Sequence, residues 1–223
     1  HVRDEDGLVE ACRRCFASIF TDRAIVYRGN NGFDHLKVAL SVAVMKLVRS
    51  DRAASGVAFT LDTETGFRDV VFITGAYGLG ENIVQGKVGP DEFYVHKPTF
   101  RRGFRAVLRR SLGTKETRLA HRRGDAGGAL HSFQVQAKDR RRYCITDAEV
   151  LDLAEVCISI EDHYSSAAGR PMPMDIEWAK DAGDGRLYVL QARPETVASR
   201  GSGATFDTYR MTGAAETLVS GKA

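Results

Sequence analysis

No apolar run in the chain approaches the length needed to span a bilayer. Nor does a charged-then-apolar signal segment open it. Cysteine is scarce as well. Four cysteines in 223 residues, irregularly placed, are too few for a disulfide scaffold, which suits a reducing cytoplasm. Cys12-Arg13-Arg14-Cys15 has redox or zinc spacing, yet no second pair completes a zinc site. The pair sits in Leu8 to Phe20, where apolar positions recur at helical spacing, so the favoured reading is a helix with two small apolar side chains. There is no internal repeat, and no glycine-rich loop ends in the Gly-Lys-Ser/Thr of a P-loop. Charge is close to balanced, at a formal net +3. Arginines do cluster, at Arg101-Arg102, Arg109-Arg110, Arg122-Arg123 and Arg140-Arg141-Arg142. A nucleic-acid patch would use such cations. These clusters lack a motif with interleaved aromatics, so solvated loops and strand edges are the favoured reading. The opening His1-Val2-Arg3 has no initiator methionine, which leads us to expect a fragment.

What is present is ordinary for a soluble globular protein: 43% hydrophobic and 27% charged residues, enough for one sizeable domain or two small ones. Gly7 to Phe20 reads as an amphipathic helix, with Leu8, Ala11, Cys12, Cys15, Phe16 and Ile19 on one face. From Leu36 to Val44 apolar residues alternate, which predicts a half-buried strand. Ser50 to Gly56 is a polar turn, and strands are predicted at Val57–Leu61, Val70–Thr74 and Phe93–His96. The arginine-rich stretch from Lys97 to Lys138 reads as short strands. Thr146-Asp147-Ala148-Glu149 has the form of a capping box and opens a helix running to about Tyr164. Met174–Ala179 and Arg186–Ala192 are predicted as two strands joined by a turn at Asp181–Gly185. A Gly/Ser-rich linker, Ser199 to Ala204, and a short tail follow. Strands interspersed with two helices and joined mostly as hairpins argue for an α+β fold.

The final hairpin carries the most chemistry. In Met174-Asp175-Ile176-Glu177-Trp178 the two acids are two residues apart and project from one face, with Ile176 and Trp178 in the opposite layer. In the partner strand, Gln191 and Arg193 also share a face. In the simplest register two carboxylates, an amide oxygen and a guanidinium converge, a credible site for a magnesium nucleotide. The competing reading is a solvent-facing Asp/Glu and Arg ladder that stabilises the hairpin by cross-strand pairing. Gly75-Ala76-Tyr77-Gly78-Leu79-Gly80-Glu81-Asn82 is a second candidate: either a loop aiming backbone amides at phosphate, or an ordinary strand-to-helix turn. The third is Met45-Lys46-Leu47-Val48, either a backbone edge for adenine or simply a strand end.

In order along the chain, several segments resemble those of phosphoenolpyruvate synthases, the pyruvate, water dikinases. They are Phe16 to Ala24, Met45 to Asp62, Tyr77-Gly78-Leu79-Gly80-Glu81, Pro90-Asp91-Glu92-Phe93-Tyr94, Met174 to Trp178, and Leu190-Gln191-Ala192-Arg193-Pro194-Glu195-Thr196. The resemblance implies an ATP-grasp fold in which two α+β lobes clasp ATP, here partial, with an incomplete first lobe. The preceding lobe, which in the family supplies a lysine and an arginine to the ATP phosphates, is expected to be missing from this stretch. It implies residues 1–198 as the partial nucleotide-binding domain and 199–223 as linker and start of a swivelling phosphohistidine domain. The reaction implied is ATP, pyruvate and water to AMP, phosphoenolpyruvate and phosphate. A histidine on the swivelling domain would carry the phosphoryl group to a separate pyruvate site, but no Thr-Cys-His motif occurs in the chain. In the resemblance Glu177 and Gln191 hold magnesium, with Asp175 in support, and Arg193 binds the phosphates and stabilises the transition state. Lys46, Leu47 and Val48 form the adenine hinge. Glu81 faces the ribose or phosphate side of the cleft with Asn82 beside it, where related dikinases carry an acid. Ser165 to Pro173 looks longer than the family's usual form and is expected to bulge near the metal.

The resemblance further implies a cytoplasmic parent acting in gluconeogenesis as a homodimer. Its partners would be ATP, pyruvate and the swivelling domain, without nucleic acid or membrane, and the fragment alone would be inactive. Two alternatives remain beside it. One is the ATP module of a related phosphotransferase acting on phosphate, an antibiotic or a glucan. The other is a non-catalytic nucleic-acid-binding module using the arginine clusters.

Overall fold

Strand pairing organises the chain, and one long helix covers the result. The computed structural model describes residues 2–122 and 129–197. Two helices, α1 (Glu5–Ala17) and α2 (Asp22–Asn30), come first. An unpaired stretch then leads to strands β1 (Ala54–Phe59) and β2 (Val70–Tyr77), a one-turn helix α3 (Glu81–Val84), and strand β3 (Asp91–His96). Next come helix α4 (Lys97–Arg101), strands β4 (Arg109–Ser111), β5 (Thr117–His121) and β6 (Leu130–Gln134), and helix α5 (Ala137–Arg140). Helix α6 (Asp147–Ala168) and the hairpin β7 (Met174–Lys180) and β8 (Leu187–Pro194) complete the described chain. All pairings are antiparallel: a six-stranded sheet in the order β4-β3-β2-β1-β7-β8, and a separate β5-β6 ribbon. The α+β class holds.

Period-two alternation divides the large sheet into a packed face and an open face. Ala54, Ala58, Val71, Ile73, Phe93, Val95, Ile176 and Trp178 form one core with Val150, Leu153, Ala154, Cys157 and Ile158 of α6. Each large side chain fully buried there contributes about 1.5–3 kcal/mol. Trp178 sets the local sequence. It lies opposite Gly56, which in turn lies opposite Gly75. A Cβ on Gly56 would stand 2.9 Å from the indole and 1.9 Å from the Thr74 carbonyl oxygen, and one on Gly75 would stand 2.9 Å from the ring. Two glycines thus make the floor on which the only tryptophan rests. The expectation that Gly75 begins a phosphate loop is therefore corrected: Gly75, Ala76 and Tyr77 belong to β2.

Helix α6 begins as its capping box requires. Thr146 Oγ1 accepts from Glu149 N at 3.3 Å while Glu149 Oε2 accepts from Thr146 N at 2.9 Å, and Gly169 closes the helix at φ 64°. The helix runs four residues beyond the expected Tyr164. Thr146→Ala should cost about 1 kcal/mol, read as a fall of about 2–4 °C in the thermal midpoint; an unchanged midpoint would show that the box contributes nothing.

One expected strand does not form, and two helices differ from expectation in detail. Leu36–Val44 is not a strand, and Leu36 and Val44 are 91% and 69% exposed. Alternation reports a surface that could be half-buried, but a strand also needs a neighbour, and this stretch pairs with neither edge strand of the large sheet, β4 or β8. Helix α1 forms but buries no residue, so the face with Cys12 and Cys15 packs into no core. Helix α2 was not anticipated. In the arginine-rich stretch, Arg109-Arg110 lie on an edge strand as expected, and several arginines are half-exposed but also paired. Arg101, Arg105 and Arg110 each reach an acid of α6 (Asp162, Glu155 and Asp147) at 2.6 Å. Half-exposed pairs are worth at most about 1 kcal/mol each, but they register the α4–β4 segment along the helix. A buried pair, Asp91 with Lys115, lies where β3 begins. The expected linker and swivelling-domain start at 199–223 lie outside the described residues.

Candidate functional site

The open face of the sheet presents the hairpin's polar side chains in two transverse rows. Asp175 pairs with Arg193 and Glu177 with Gln191, so all four project to one side, as the sequence predicts. The first row continues through Phe59, Phe72 and Tyr94 to Arg109, with ring centroids 6.4 Å and 4.7 Å apart along it. The second runs through Val57 and Thr74 to Glu92. Arg193 donates to Asp175 Oδ2 from Nε at 2.9 Å and lies 2.7 Å from it through Nη2. Glu177 and Gln191 make no side-chain hydrogen bond or ion pair with any other described residue. Their oxygens are therefore unengaged. The first residues of Ser165 to Pro173, where a bulge was expected, continue α6 to Ala168; the hairpin's own register shifts between Glu177 and Trp178, a separate irregularity.

A cleft of about 1510 Å³ opens along this face. Lys46, Leu47, Val48, Glu81 and Glu177 all line it. Asp175, Gln191 and Arg193 do not: Gln191 lies directly across the strand pair from Glu177, and Asp175 and Arg193 stand one row farther from the hairpin turn. The hinge candidate is an unpaired stretch outside any strand, not a strand end. It is fixed to the hairpin turn: Ala182 N donates to Arg49 O at 3.3 Å, Arg49 N to Asp181 Oδ2 at 3.4 Å, and Lys46 Nζ sits 5.6 Å from the centre of the Tyr188 ring. Glu81 opens the short α3, and its carboxylate accepts from Gln85 at 2.8 Å. Asn82 is buried at 5% exposure.

The glycine turn itself is occupied with internal bonds. Gly78 stands at φ 90°, a region that favours glycine. Its N donates to Ala53 O at 3.1 Å, Leu79 N donates to Leu119 O at 3.0 Å, and Ser55 Oγ donates to Gly78 O at 2.6 Å. Two amides that a phosphate cradle would use are thus spoken for, and the turn instead anchors β5 to β1.

Sequence reasoning missed a basic wall of the cleft. Arg49, Arg52, His121 and Arg122 line the cleft. Arg49 grips the buried Asp51 through Nε and Nη2 at 2.9 Å and 3.0 Å. A polar turn rich in charge was the only available signal, and β5, which brings in His121, is remote in sequence. Arg49 holds the Asp51 carboxyl below its ordinary value of 3.8, against the opposing effect of burial. Because the folded state binds this proton more weakly than the unfolded chain, the contribution is complete above the unfolded value and lost as pH falls through the depressed one. Asp51→Asn should therefore lower the urea midpoint at neutral pH. The gap to the native protein should close as pH falls below the ordinary carboxylate value and through the depressed one; a gap that persists there would exclude the ion pair as its cause.

Among the described residues no three His, Cys, Asp or Glu side chains converge as a metal group, and no helix is long and apolar enough to cross a membrane. Residues 1–213 match the family described as pyruvate phosphate dikinase, AMP/ATP-binding domain. A phosphoenolpyruvate synthase of Pseudomonas aeruginosa is 53% identical over all of the chain and 28% of its own length. That of Synechocystis is 51% identical over 96% of the chain and 26% of its own length. The Escherichia coli phosphoenolpyruvate synthase is 46% identical over all of the chain and 27% of its own length. The chain thus spans about a quarter of the length of these relatives.

Proposed function

The chain belongs to the family of pyruvate phosphate dikinase AMP/ATP-binding domains, and from that premise we propose that it is the ATP-binding part of a phosphoenolpyruvate synthase. The observation that carries the proposal is the convergence of Lys46, Leu47, Val48, Glu81 and Glu177 on one cleft. A cleft with a neutral backbone edge at one wall and a carboxylate at another suits a nucleotide that brings its own magnesium. In this reading the protein is one lobe and part of another of an ATP-grasp fold. It works in the cytoplasm, in gluconeogenesis, within a homodimeric parent that carries the swivelling histidine and the pyruvate site.

The unengaged oxygens of Glu177 and Gln191 fit magnesium, a hard cation that takes one or two protein ligands and completes its shell from phosphates and water. Bound there, the ion would neutralise charge on the transferring phosphates. Asp175 orients Arg193, whose guanidinium would bind the same phosphates and meet charge as it develops. Lys46, Leu47 and Val48 would hold adenine, with the Tyr188 contact fixing the Lys46 side chain. Glu81 would face the ribose.

The test is product analysis on the full-length protein. AMP released from ATP only when pyruvate is present supports the reading, and ADP as sole product overturns it. A nucleic-acid module is not favoured, because Arg101, Arg105, Arg110 and Arg140 are already paired with Asp162, Glu155, Asp147 and Glu116.

A further inference from the structure

Behind the turn at 50–54, separate from the nucleotide cleft, lies a second cavity of about 490 Å³ between the large sheet and the β5-β6 ribbon. Three cations line it, Arg52, Arg118 and Lys180, against a single acid, Asp139. They differ in how far they are satisfied. Lys180 is paired with Glu149 of α6. Arg52 lies 3.9 Å from Asp51, a loose contact. Arg118, half-buried on β5, makes no hydrogen bond or ion pair with any described residue. Gln134 and Gln136 also line the wall. Tyr77 on the same wall has its proton committed, donating to the Asp139 carbonyl at 3.1 Å. Burial pushes that phenol up to about 12, so it stays neutral and adds no negative charge.

A half-buried guanidinium with no acceptor among the described residues keeps its donors open to a bound anion. Its planar fork matches an oxyanion with two parallel hydrogen bonds. We propose that this cavity binds a small phosphate-bearing anion, inorganic phosphate or a small phosphate monoester, with Arg118 as its anchor and the glutamine amides as flanking donors. Arg52 lines both this cavity and the nucleotide cleft.

The full chain can be titrated with inorganic phosphate and separately with glycerol 3-phosphate, with and without saturating magnesium ATP. The only tryptophan reports on the cavity: the positions a Cβ would take on Gly75 lie 2.9 Å from both its ring and Cys144 Sγ, and Cys144 lines the wall. The expected result is saturable binding that Arg118→Gln weakens roughly tenfold or more. Arg118→Lys should retain part of it, and thermal melts of both variants should match the native chain. Tighter binding of the monoester assigns the site to a phosphorylated metabolite, and equal binding assigns it to free phosphate. An unsaturable response, or Arg118→Gln binding as the native chain does, overturns the proposal. So does an apparent Kd that rises without limit as nucleotide is added, since that places phosphate in the cleft. The phosphate arm run without nucleotide stands whether or not the cleft binds ATP.

Discussion

Arg193→Met in the full-length protein is expected to lower turnover by about 10³-fold, within the range seen when an arginine that meets phosphoryl charge is removed, while the thermal midpoint hardly moves. Both halves follow from its place at the rim of the hairpin. The side chain is 64% exposed, and its one partner, Asp175, lies across the strand pair. An exposed pair contributes at most about 1 kcal/mol to folding, so losing it leaves the sheet intact. Any large effect must come from chemistry. If the arginine acts on charge that develops during transfer, turnover falls far more than the KM for ATP rises. Arg193→Lys should recover only part of the loss, because a point charge cannot reproduce a fork already oriented by Asp175. The same variant decides between the two readings of the hairpin. A structural ladder predicts a small stability loss and near-native turnover. Retention of more than about a tenth of native turnover, with an unchanged midpoint, would remove Arg193 from the machinery.

The hairpin was legible because its information is local. Acids two apart on one strand, a turn of Asp and Gly, and an amide and arginine two apart on the return strand fix a face whatever surrounds them, and the register confirmed it. The capping box was legible for the same reason. What escaped depends on contacts distant in sequence. Leu36–Val44 has a strand's pattern without a strand's partner. Gly75 has a loop glycine's identity and a packing glycine's job, which only the position of Trp178 reveals. The basic wall is assembled from a turn at 49–52 and a strand at 117–121, and neither segment announces the other. The cleft itself was legible only through the resemblance, since hinge, glycine turn and hairpin are each weak signals alone.

The pair most thoroughly hidden from the sequence should have the largest effect on stability. Asp91 and Lys115 are both fully buried. Asp91 also accepts from Gly113 N and Cys144 N at 2.8 Å each, so one carboxylate joins the start of β3, the segment entering β5, and the approach to α6. Lys115 adopts φ 40°, a conformation held by this pairing and by its bond to Gly113 O at 3.0 Å. Asp91→Ala leaves an ammonium without counter-charge in the core and strips two amides of their acceptor. It should cost about 3–5 kcal/mol in urea denaturation, a large part of an ordinary domain's stability. Lys115→Met should cost less, because the remaining carboxylate keeps its two backbone donors. The double variant should cost less than the sum of the singles, since neither charge is then left alone. Consequences for the cleft follow, because β5 receives Leu79 N and carries His121 into the nucleotide wall. Loosening the 113–115 segment should therefore weaken nucleotide binding in Asp91→Ala even where the protein remains folded. Additive losses in the cycle would show that the two groups act independently, and the carboxylate would then be no more than a backbone cap.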